Sequence, residues 1–455
     1  MPDSPESRRR AFIRTSAFAA GALTLPRFGV AQSGRSPNGK VGVAVVGAGG
    51  MGGYAVEQAA QERFVAICDV DDQRAWTAYE KHPEVPRFKD FRVMLDKLHK
   101  EIDAVAISTP DHTHFAIAMA AMELGKHVFV QKPLAHNIWQ VRMLRQAARR
   151  YGVITQMGNQ GHTLEGMRRI KEWVAAGVVG DVTDVVTWTN RPNPPWFVPP
   201  ASFPPPTSRA PSDLDWDLWQ GPVAGREYSR AYVPIQWRGW WDYGCGSLGD
   251  IGCHTFDAPF WALDLGAPTK VQAFGDPPPG DGFISMKSVV TYQFPARGEK
   301  PPVTLTWYEK GFDVPKPKRW EPEKPLPEEG GMYMEGTKET LYHAGMRPES
   351  PMITPEARFM EIKGELRKIQ KLPPVGDGPI EEWLRAIKGE GPMPGSSFDY
   401  AAPLTEVVLL GALAQRTGRT IEWDAEAMQA KGQPELEPLI KEPAREGWQY
   451  GQSLG

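Results

Sequence analysis

The first third of the chain alternates short apolar runs with stretches of helical periodicity. Residues 41–46 form an apolar, β-branched run that is typical of a strand buried in a parallel sheet. Similar runs occupy 64–68, 103–109, 127–131 and 153–156, and helices are predicted at 54–61 and 113–124. Strands that alternate with helices predict an α/β domain with a doubly wound parallel sheet. We place this domain at residues 40–156.

The pattern changes after residue 156. Strands are predicted at 182–189, 270–274, 288–294 and 303–307, and helices near 165–177, 249–264, 379–388 and 402–416. Because these strands follow one another through turns, they predict an α+β domain with a large, mostly antiparallel sheet over residues 157–425. Long loops are expected at 192–211, within a Pro- and Trp-rich segment at 191–220, and at 313–330. A C-terminal tail follows at 426–455.

Composition restricts the class of protein. The 455 residues are 41% hydrophobic and 24% charged, with a formal net charge of −3. These values exclude a mostly disordered chain. No apolar run approaches the roughly 18 residues of a membrane-spanning helix. The chain has no basic surplus to neutralise nucleic-acid phosphates, and its 3 Cys cannot form a disulfide framework.

The first 31 residues are predicted to be a targeting signal. A basic segment at 7–14 precedes an apolar stretch at 17–25 and the small residues at 29–31. Arg9 and Arg10, followed by an apolar stretch, resemble a twin-arginine export signal. We therefore expect a periplasmic or otherwise exported protein. An ordinary secretory signal and an uncleaved membrane anchor remain open as alternatives.

A glycine loop follows the first predicted strand. Its sequence, Gly47-Ala48-Gly49-Gly50-Met51-Gly52, lies between a strand and a helix and matches the dinucleotide fingerprint G-x-G-x-x-G. The helix N-terminus offers free N–H groups to a pyrophosphate. Asp69, at the end of the second strand, can accept from a ribose 2′-hydroxyl and would repel a 2′-phosphate, which favours NAD over NADP. The candidate cofactor-binding residues here are Gly47, Gly49, Gly50, Met51, Gly52 and Asp69.

Two further segments follow the carboxyl ends of predicted strands, where ligands of such sheets bind. Thr109, Pro110 and His114 lie after the strand at 103–109. Gln131 and Lys132 lie after the strand at 127–131. We add these five residues to the cofactor-binding candidates, and Lys132 is also a candidate for chemistry beside the cofactor. For the histidines after Pro110, polar capping of a helix start remains an alternative interpretation.

Four segments in order resemble the Gfo/Idh/MocA family of oxidoreductases. They are Gly47–Gly52, Ser108-Thr109-Pro110 with His114, Lys132-Pro133, and Gly249-Asp250-Ile251-Gly252-Cys253-His254. The resemblance covers about residues 40–425. It implies a Rossmann domain that binds NAD or NADP, then a substrate-binding and oligomerisation domain, and a homo-oligomer packed through the open face of the second sheet. One departure is that Gln131 stands where the family usually has Glu, which removes a negative charge beside Lys132.

A candidate catalytic group combines Lys132 with Asp250 and His254. Asp250 and His254 are four residues apart on a predicted helix, so both side chains lie on one face, which Asp257 shares. A neutral histidine can take the hydroxyl proton of an alcohol when hydride leaves its carbon. Asp250 would fix the tautomer, Lys132 would polarise the oxygen, and Gly252 would leave room for the nicotinamide. The resemblance implies the same three catalytic residues. We predict no metal site.

The resemblance places a substrate cleft between the two domains. The candidate substrate-binding residues are Asn159, Gln160, His162, Trp237, Arg238 and Tyr243. Half of the 16 Trp lie between residues 188 and 261. Two interpretations of this clustering remain open, because tryptophan rings fill cores and also stack on sugar faces.

Three function hypotheses follow. The first is an exported NAD(P)-dependent oxidoreductase that transfers hydride between a sugar or sugar-derivative hydroxyl and a cofactor that stays bound. The second is a redox-assisted glycosidase or epimerase that returns the hydride to the same molecule. The third is a non-catalytic protein that binds a sugar or a nucleotide. We expect a small-molecule sugar as partner, and neither a nucleic acid nor an integral membrane protein.

Overall fold

The computed structural model describes residues 39–454. The predicted export signal at 1–31 lies outside this range. No helix within the described residues is long and apolar enough to cross a membrane.

The N-terminal domain is built on six parallel strands in the order β3-β2-β1-β4-β5-β6. Its elements are β1 Gly42–Val46, α1 Gly52–Ala59, β2 Arg63–Cys68, α2 Asp72–Lys81, β3 Arg87–Phe88, α3 Phe91–Leu98, β4 Ala104–Ile107, α4 His114–Glu123, β5 His127–Val130, α5 Ile138–Tyr151 and β6 Thr155–Met157. The order reverses direction at β1, so the carboxyl ends of β1 and β4 open a crevice. The predicted doubly wound parallel sheet is confirmed.

The second domain contains a nine-stranded sheet in the order β13-β12-β11-β7-β10-β9-β8-β14-β15. Its elements are α6 Glu165–Ala175, β7 Val182–Thr189, α7 Trp216–Gln220, α8 Gly246–Thr255, α9 Asp257–Leu263, β8 Lys270–Gly275, β9 Ser288–Phe294, β10 Val303–Tyr308, β11 Gly330–Gly336, β12 Thr340–Ala344, β13 Met352–Thr354, α10 Glu356–Ile369, α11 Pro379–Lys388, α12 Phe398–Thr417, β14 Ile421–Asp424, β15 Gln429–Ala430 and α13 Glu437–Ile440. Every pairing is antiparallel except that of β7 with β10. The predicted mostly antiparallel sheet is confirmed.

Two sequence-based boundaries need correction. The single helix predicted at 249–264 is two helices, α8 and α9, which meet at Phe256. The segment predicted as a tail at 426–455 packs against both domains. Strand β15 pairs with β14, and the Trp448 ring lies 5.9 Å from the Phe91 ring of the first domain, between ring centroids.

Helix α11 completes the core of the first domain although it lies far downstream of β6 in the chain. Ile380, Trp383 and Leu384 belong to the same buried apolar cluster as the interior face of β1. The Trp383 ring lies 6.1 Å from the ring of Phe129, and its Nε1 donates to the Ile154 carbonyl at 3.1 Å. The first domain therefore depends on a helix from the second for its packing.

A segment between β7 and α8 also reaches the first domain. The Asp213 carbonyl accepts from the backbone N–H of Asp72 at 3.1 Å and from Lys89 Nζ at 2.8 Å. The backbone N–H of Asp215 donates to the Val70 carbonyl at 2.9 Å. These bonds hold the segment, and α7 after it, along the edge of the crevice beside the end of β2.

Candidate active site

The glycine loop takes the form that close packing of helix and strand requires. Gly47 has φ of +80°, which favours glycine. A Cβ atom at position 52 would lie 1.9 Å from the Gly47 carbonyl oxygen, so only glycine fits between α1 and the loop. The helix N-terminus therefore stays in contact with the strand end, where its N–H groups can face an anion.

Asp69 supports this loop from the end of β2. Its carboxylate accepts from the backbone N–H of Ala48 at 2.8 Å and of Asp71 at 3.0 Å. Burial raises the pKa of Asp69, and these backbone donors oppose the rise. The carboxylate also lines the cavity described next, so it keeps acceptor capacity for a ribose hydroxyl.

A cavity of about 460 Å³ extends from the glycine loop to α8. It brings together most of the candidate residues: Gly47, Gly49, Gly50, Met51, Asp69, Thr109, Pro110, Gln131, Lys132, Trp237, Arg238 and Asp250. Two further tryptophans of the cluster at 188–261, Trp196 and Trp219, also line the cavity, and Trp448 is a lining residue that the sequence did not indicate. These three come from a loop, from the short helix α7 and from the C-terminal segment. Trp240 and Trp241 of the same cluster are core residues, whereas Trp196, Trp219 and Trp237 line the cavity.

Lys132 and Asp250 meet at the far end of the cavity. Lys132 is joined to Pro133 by a cis peptide bond. Its Nζ donates to the Asp250 carboxylate at 2.9 Å and to the Asp250 carbonyl at 2.5 Å. Burial opposes ionisation of Asp250, but Lys132, Arg238 and Arg191 together hold its pKa well below the ordinary value. Asp250 is therefore a permanent anion that positions the ammonium group of Lys132.

His254 lies one turn further along α8 and is buried, so it stands beside the cavity without forming part of its lining. Burial, followed by the charges of Lys132 and Arg347, lowers its pKa well below the ordinary value, so the imidazole is neutral at pH 7. Its Nδ1 has no hydrogen-bond partner within the described residues. The expected tautomer-fixing bond from Asp250 is absent there, because Asp250 binds the three cations instead. The ring is thus a neutral base within reach of the Lys132 charge.

Gly252 does not face a nicotinamide, contrary to the sequence-based expectation. A Cβ atom at this position would meet Leu248 at 3.0 Å and Val408 at 3.2 Å. The glycine therefore allows α8 to pack closely on α12, and its role lies in the core.

Asp257 does not share the site of Asp250, because it begins the next helix. Its carboxylate accepts from Asn159 Nδ2 at 2.8 Å, from the Tyr400 hydroxyl at 2.5 Å, and pairs with His162 Nδ1 at 3.0 Å. All four side chains are buried or nearly so. Asn159 Nδ2 and His162 Nδ1 are thus engaged by Asp257, whereas Asn159 Oδ1 is buried without a partner in the described part of the chain. Neither residue lines the cavity.

Three other candidates act on the surrounding structure. Both ring nitrogens of His114 lie 2.8 Å from carbonyl oxygens, those of Pro133 and Thr109, so His114 joins the two cofactor-facing loops without reaching the cavity. Tyr243 is fully buried against the ring of Trp219. Gln160 donates to Gln131 Oε1 at 3.4 Å beside the cavity.

The residues of the cavity fit a dinucleotide. Two buried polar atoms on its wall, Ser108 Oγ and Gln131 Nε2, have no partner within residues 39–454. Buried polar groups are normally satisfied, so these atoms are suited to a ligand. The backbone of Gly49 and Gly50 forms the cradle for phosphates, and the Asp69 carboxylate is placed for a ribose.

This geometry defines a two-domain protein with a cavity that fits a dinucleotide and with the Lys132–Asp250 ion pair at its end. The chain belongs to the Gfo/Idh/MocA oxidoreductase family: the family's NAD-binding Rossmann domain matches residues 41–159, and its C-terminal α/β domain matches residues 167–295. The resemblance drawn from the motifs is confirmed, and the first domain is an NAD-binding domain.

Individual relatives share limited sequence identity with this chain over about a third of its length. A glycosyl hydrolase family 109 protein of Solibacter usitatus is 32% identical over 162 residues, which cover 32% of this chain and 36% of that protein. An inositol 2-dehydrogenase of Rubrobacter xylanophilus is 31% identical over 153 residues, 32% of this chain and 43% of that protein. The chain therefore spans less than half the length of these relatives.

A solved structure extends the likeness of fold to both domains. The WlbA dehydrogenase of Chromobacterium violaceum, in complex with NADH and UDP-GlcNAcA, superimposes with a TM-score of 0.60 at 18% identity. The match covers 86% of this chain and 98% of that one.

Proposed function

We propose that this protein is an exported, NAD-dependent oxidoreductase that oxidises a hydroxyl group of a sugar or sugar derivative with a cofactor that stays bound. The observation that carries the proposal is the meeting of Lys132 and Asp250 at the end of the dinucleotide cavity, with His254 one turn away on the same helix. Bound NAD supplies the hydride acceptor. The family and the sugar-related names of its relatives support a sugar hydroxyl as the donor.

His254, Lys132 and Asp250 have different roles at the hydroxyl group. The neutral His254 ring takes the hydroxyl proton, because its lowered pKa keeps it unprotonated before the reaction. The Lys132 ammonium donates to the same oxygen and stabilises the alkoxide as charge develops. Asp250 holds Lys132 in place through its carboxylate at 2.9 Å and its carbonyl.

The catalytic assignment can be tested with three variants. Lys132→Ala and His254→Ala should each lower turnover by about 10²–10⁴-fold. Their content of bound nucleotide and their melting temperatures should stay near wild type. Lys97→Ala changes an exposed lysine of α3 and serves as the control. If Lys132→Ala and His254→Ala turn over like this control, the assignment is wrong.

Retention of the cofactor is supported by the cover that the second domain places over the crevice. Backbone bonds fix residues 213–215 along its edge, and Trp219 and Trp237 line the cavity from the same segment. A protein outside the cytoplasm would have no free NAD pool to draw on. Protein purified without added nucleotide should release NAD or NADH on denaturation in about equal molar amount. An empty protein with full activity would contradict the proposal.

Export rests on the sequence around Arg9 and Arg10. A double Arg9→Lys, Arg10→Lys variant should remain in the cytoplasm, whereas Arg35→Lys, which lies after the predicted signal, should be exported normally. Periplasmic and cytoplasmic fractions of the same culture give the readout. Equal export of both variants would show that the arginine pair is not a signal.

A second candidate is a glycosidase that oxidises the sugar, eliminates the aglycone and returns the hydride. The 32% identity to a glycosyl hydrolase family 109 protein favours it specifically. Nitrophenyl glycosides separate the two candidates. Release of nitrophenol without a net change in nicotinamide absorbance would support the glycosidase, and lasting reduction of the bound nicotinamide would support the oxidoreductase.

A further inference from the structure

Asp250 is surrounded by more positive charge than it can neutralise. Lys132, Arg238 and Arg191 approach its carboxylate at 2.9, 3.3 and 3.7 Å. Each of these four side chains is less than a fifth exposed to solvent. One carboxylate thus faces three cations in a partly buried site. Such a surplus is unfavourable unless a further anion satisfies it.

The two arginines are held in place by a tryptophan of the cavity wall. The guanidinium carbons of Arg191 and Arg238 lie 5.0 and 5.4 Å from the Trp196 ring, and Arg238 also lies 4.2 Å from the Trp237 ring. Contact with aromatic rings fixes a guanidinium without consuming its N–H groups. Arg191 retains a buried NH1 with no hydrogen-bond partner within the described residues. Arg191 lies behind the cavity wall, whereas Arg238 lines the cavity. Arg238 donates from Nε to Asp250 at 3.3 Å and from NH1 to the Ile235 carbonyl at 3.2 Å, and its NH2 makes no hydrogen bond within the described residues.

A fourth cation lies on the side of His254. Arg347, from the connection between β12 and β13, donates to Gln160 Oε1 at 3.2 Å, and its buried Nε has no partner in the described part of the chain. Its charge acts on His254 strongly enough to contribute to the lowered pKa of that ring. The reacting group is thus flanked by positive charge on two sides.

The other acids of the cavity do not cancel this charge. Asp111 lies near Lys132 and Arg238, but burial raises its pKa despite these cations and His114, which favours the uncharged acid. Asp69 lies at the glycine loop, where its carboxylate accepts from Ala48, and Asp71 caps α2, where its carboxylate accepts from the backbone N–H of Arg74. The surplus is therefore local to the group around Asp250.

From this cation cluster on Trp196 and Asp250 we infer that the substrate is a sugar acid, whose carboxylate is bound by Arg238 while Arg191 adds positive charge. The NH2 group and the second N–H of NH1 of Arg238 remain for the two oxygens of a carboxylate, because Nε donates to Asp250 and NH1 donates once to Ile235. The hydroxyl to be oxidised then faces Lys132 and His254. The inference rests on the proposed function and names its substrate class.

The first experiment compares matched pairs of substrates on wild-type protein with bound cofactor. Glucuronate is compared with glucose, galacturonate with galactose, and glucose 6-phosphate serves as a phosphate arm. Reduction of the bound nicotinamide is followed by absorbance, and binding is measured separately by calorimetry. Each acid should exceed its neutral partner in kcat/KM by about tenfold or more, since a charged hydrogen bond is gained.

The second experiment changes the arginine. Arg238→Gln should raise KM for the acids about tenfold to a hundredfold more than it raises KM for the matched neutral sugars. Arg238→Lys should recover part of the loss, because it restores charge without the fork. Arg145→Gln, a partly exposed arginine of α5 paired with Asp399, is the control. Nucleotide content and melting temperature are recorded for each variant.

The outcomes separate this inference from the proposed function. Turnover of neutral sugars in preference to acids would leave the oxidoreductase in place and overturn the sugar acid. Preference for the phosphate would overturn it as well. Loss of bound nucleotide in Arg238→Gln would assign Arg238 to the cofactor and likewise overturn it. Calorimetric binding of acids that depends on Arg238, without any nicotinamide reduction, would support the anion site and contradict the oxidoreductase.

Discussion

The contact between Gly52 and the Gly47 carbonyl leads to a specific prediction about cofactor binding. A methyl group at position 52 would lie 1.9 Å from the Gly47 oxygen, whereas real Cβ atoms stay beyond 3.0 Å. Gly52→Ala must therefore separate the loop from α1 by about 1 Å, because packed backbone has no room to absorb the atom.

The size of the effect follows from hydrogen-bond geometry. N–H donors bind phosphate oxygens over a narrow range of about 2.7–3.2 Å, so a shift of about 1 Å breaks the bonds that the displaced N–H groups would make. A hydrogen bond to a charged group contributes about 1.5–3 kcal/mol. Loss of two such bonds at the lower value is about 3 kcal/mol, which weakens NAD binding about 150-fold.

The assay is calorimetric titration of NAD into protein from which the nucleotide has been removed. Gly53→Ala is the matched control, because a Cβ atom one residue further along α1 meets nothing within 4 Å. The control should bind NAD like wild type and gain up to about 1 kcal/mol of helix stability. Wild-type affinity in a folded Gly52→Ala variant would refute the role given to this contact.

Two further predictions concern stability. Asp257→Asn removes the carboxylate that accepts from Tyr400 and pairs with His162, so it should lower the free energy of unfolding by about 3 kcal/mol and leave KM unchanged. Asp96→Asn, at an exposed site of α3, should change neither quantity. A raised KM with wild-type stability would indicate that His162 contacts the substrate. Burial lowers the pKa of His127 and of His343 from 6.5 to about 4. As the pH falls, the unfolded chain therefore binds protons at these histidines before the folded protein does, and each histidine should cost about 2 kcal/mol of stability at about pH 5. Urea unfolding at several pH values checks this, since the free energy of unfolding of His343→Asn should fall less steeply with pH than that of wild type.

The regular elements could be predicted because their patterns are local. Strand β7 and helix α11 match the sequence-based bounds at both ends, since their apolar periodicity is complete within the element. Helices α2 and α3 were missed, although Asp71 and Asp90 before them accept from backbone N–H groups and are typical N-cap residues. An acidic cap followed by a weakly apolar helix is a signal that periodicity alone does not detect.

The candidate site was predictable where strand ends bring motifs together. Lys132 and Asp250 are 118 residues apart, yet topology makes them neighbours. The roles of Asn159 and His162 could not be predicted in this way, because the break between α8 and α9 directs their partner Asp257 away from Asp250 and towards them. Arg191 escaped notice for a related reason, since it follows a strand without any pattern that distinguishes it from a solvated charge.

The packing of α11 against the first domain bears on how the protein can be made. Trp383 fills the interior beside Phe129, and burial of a side chain of this size contributes about 2–3 kcal/mol. A fragment ending at residue 156 would leave this apolar surface in water and should aggregate. On the ribosome, the nucleotide-binding half cannot close its interior until the chain has been synthesised beyond residue 388, so the domain that comes first in sequence is finished late in synthesis.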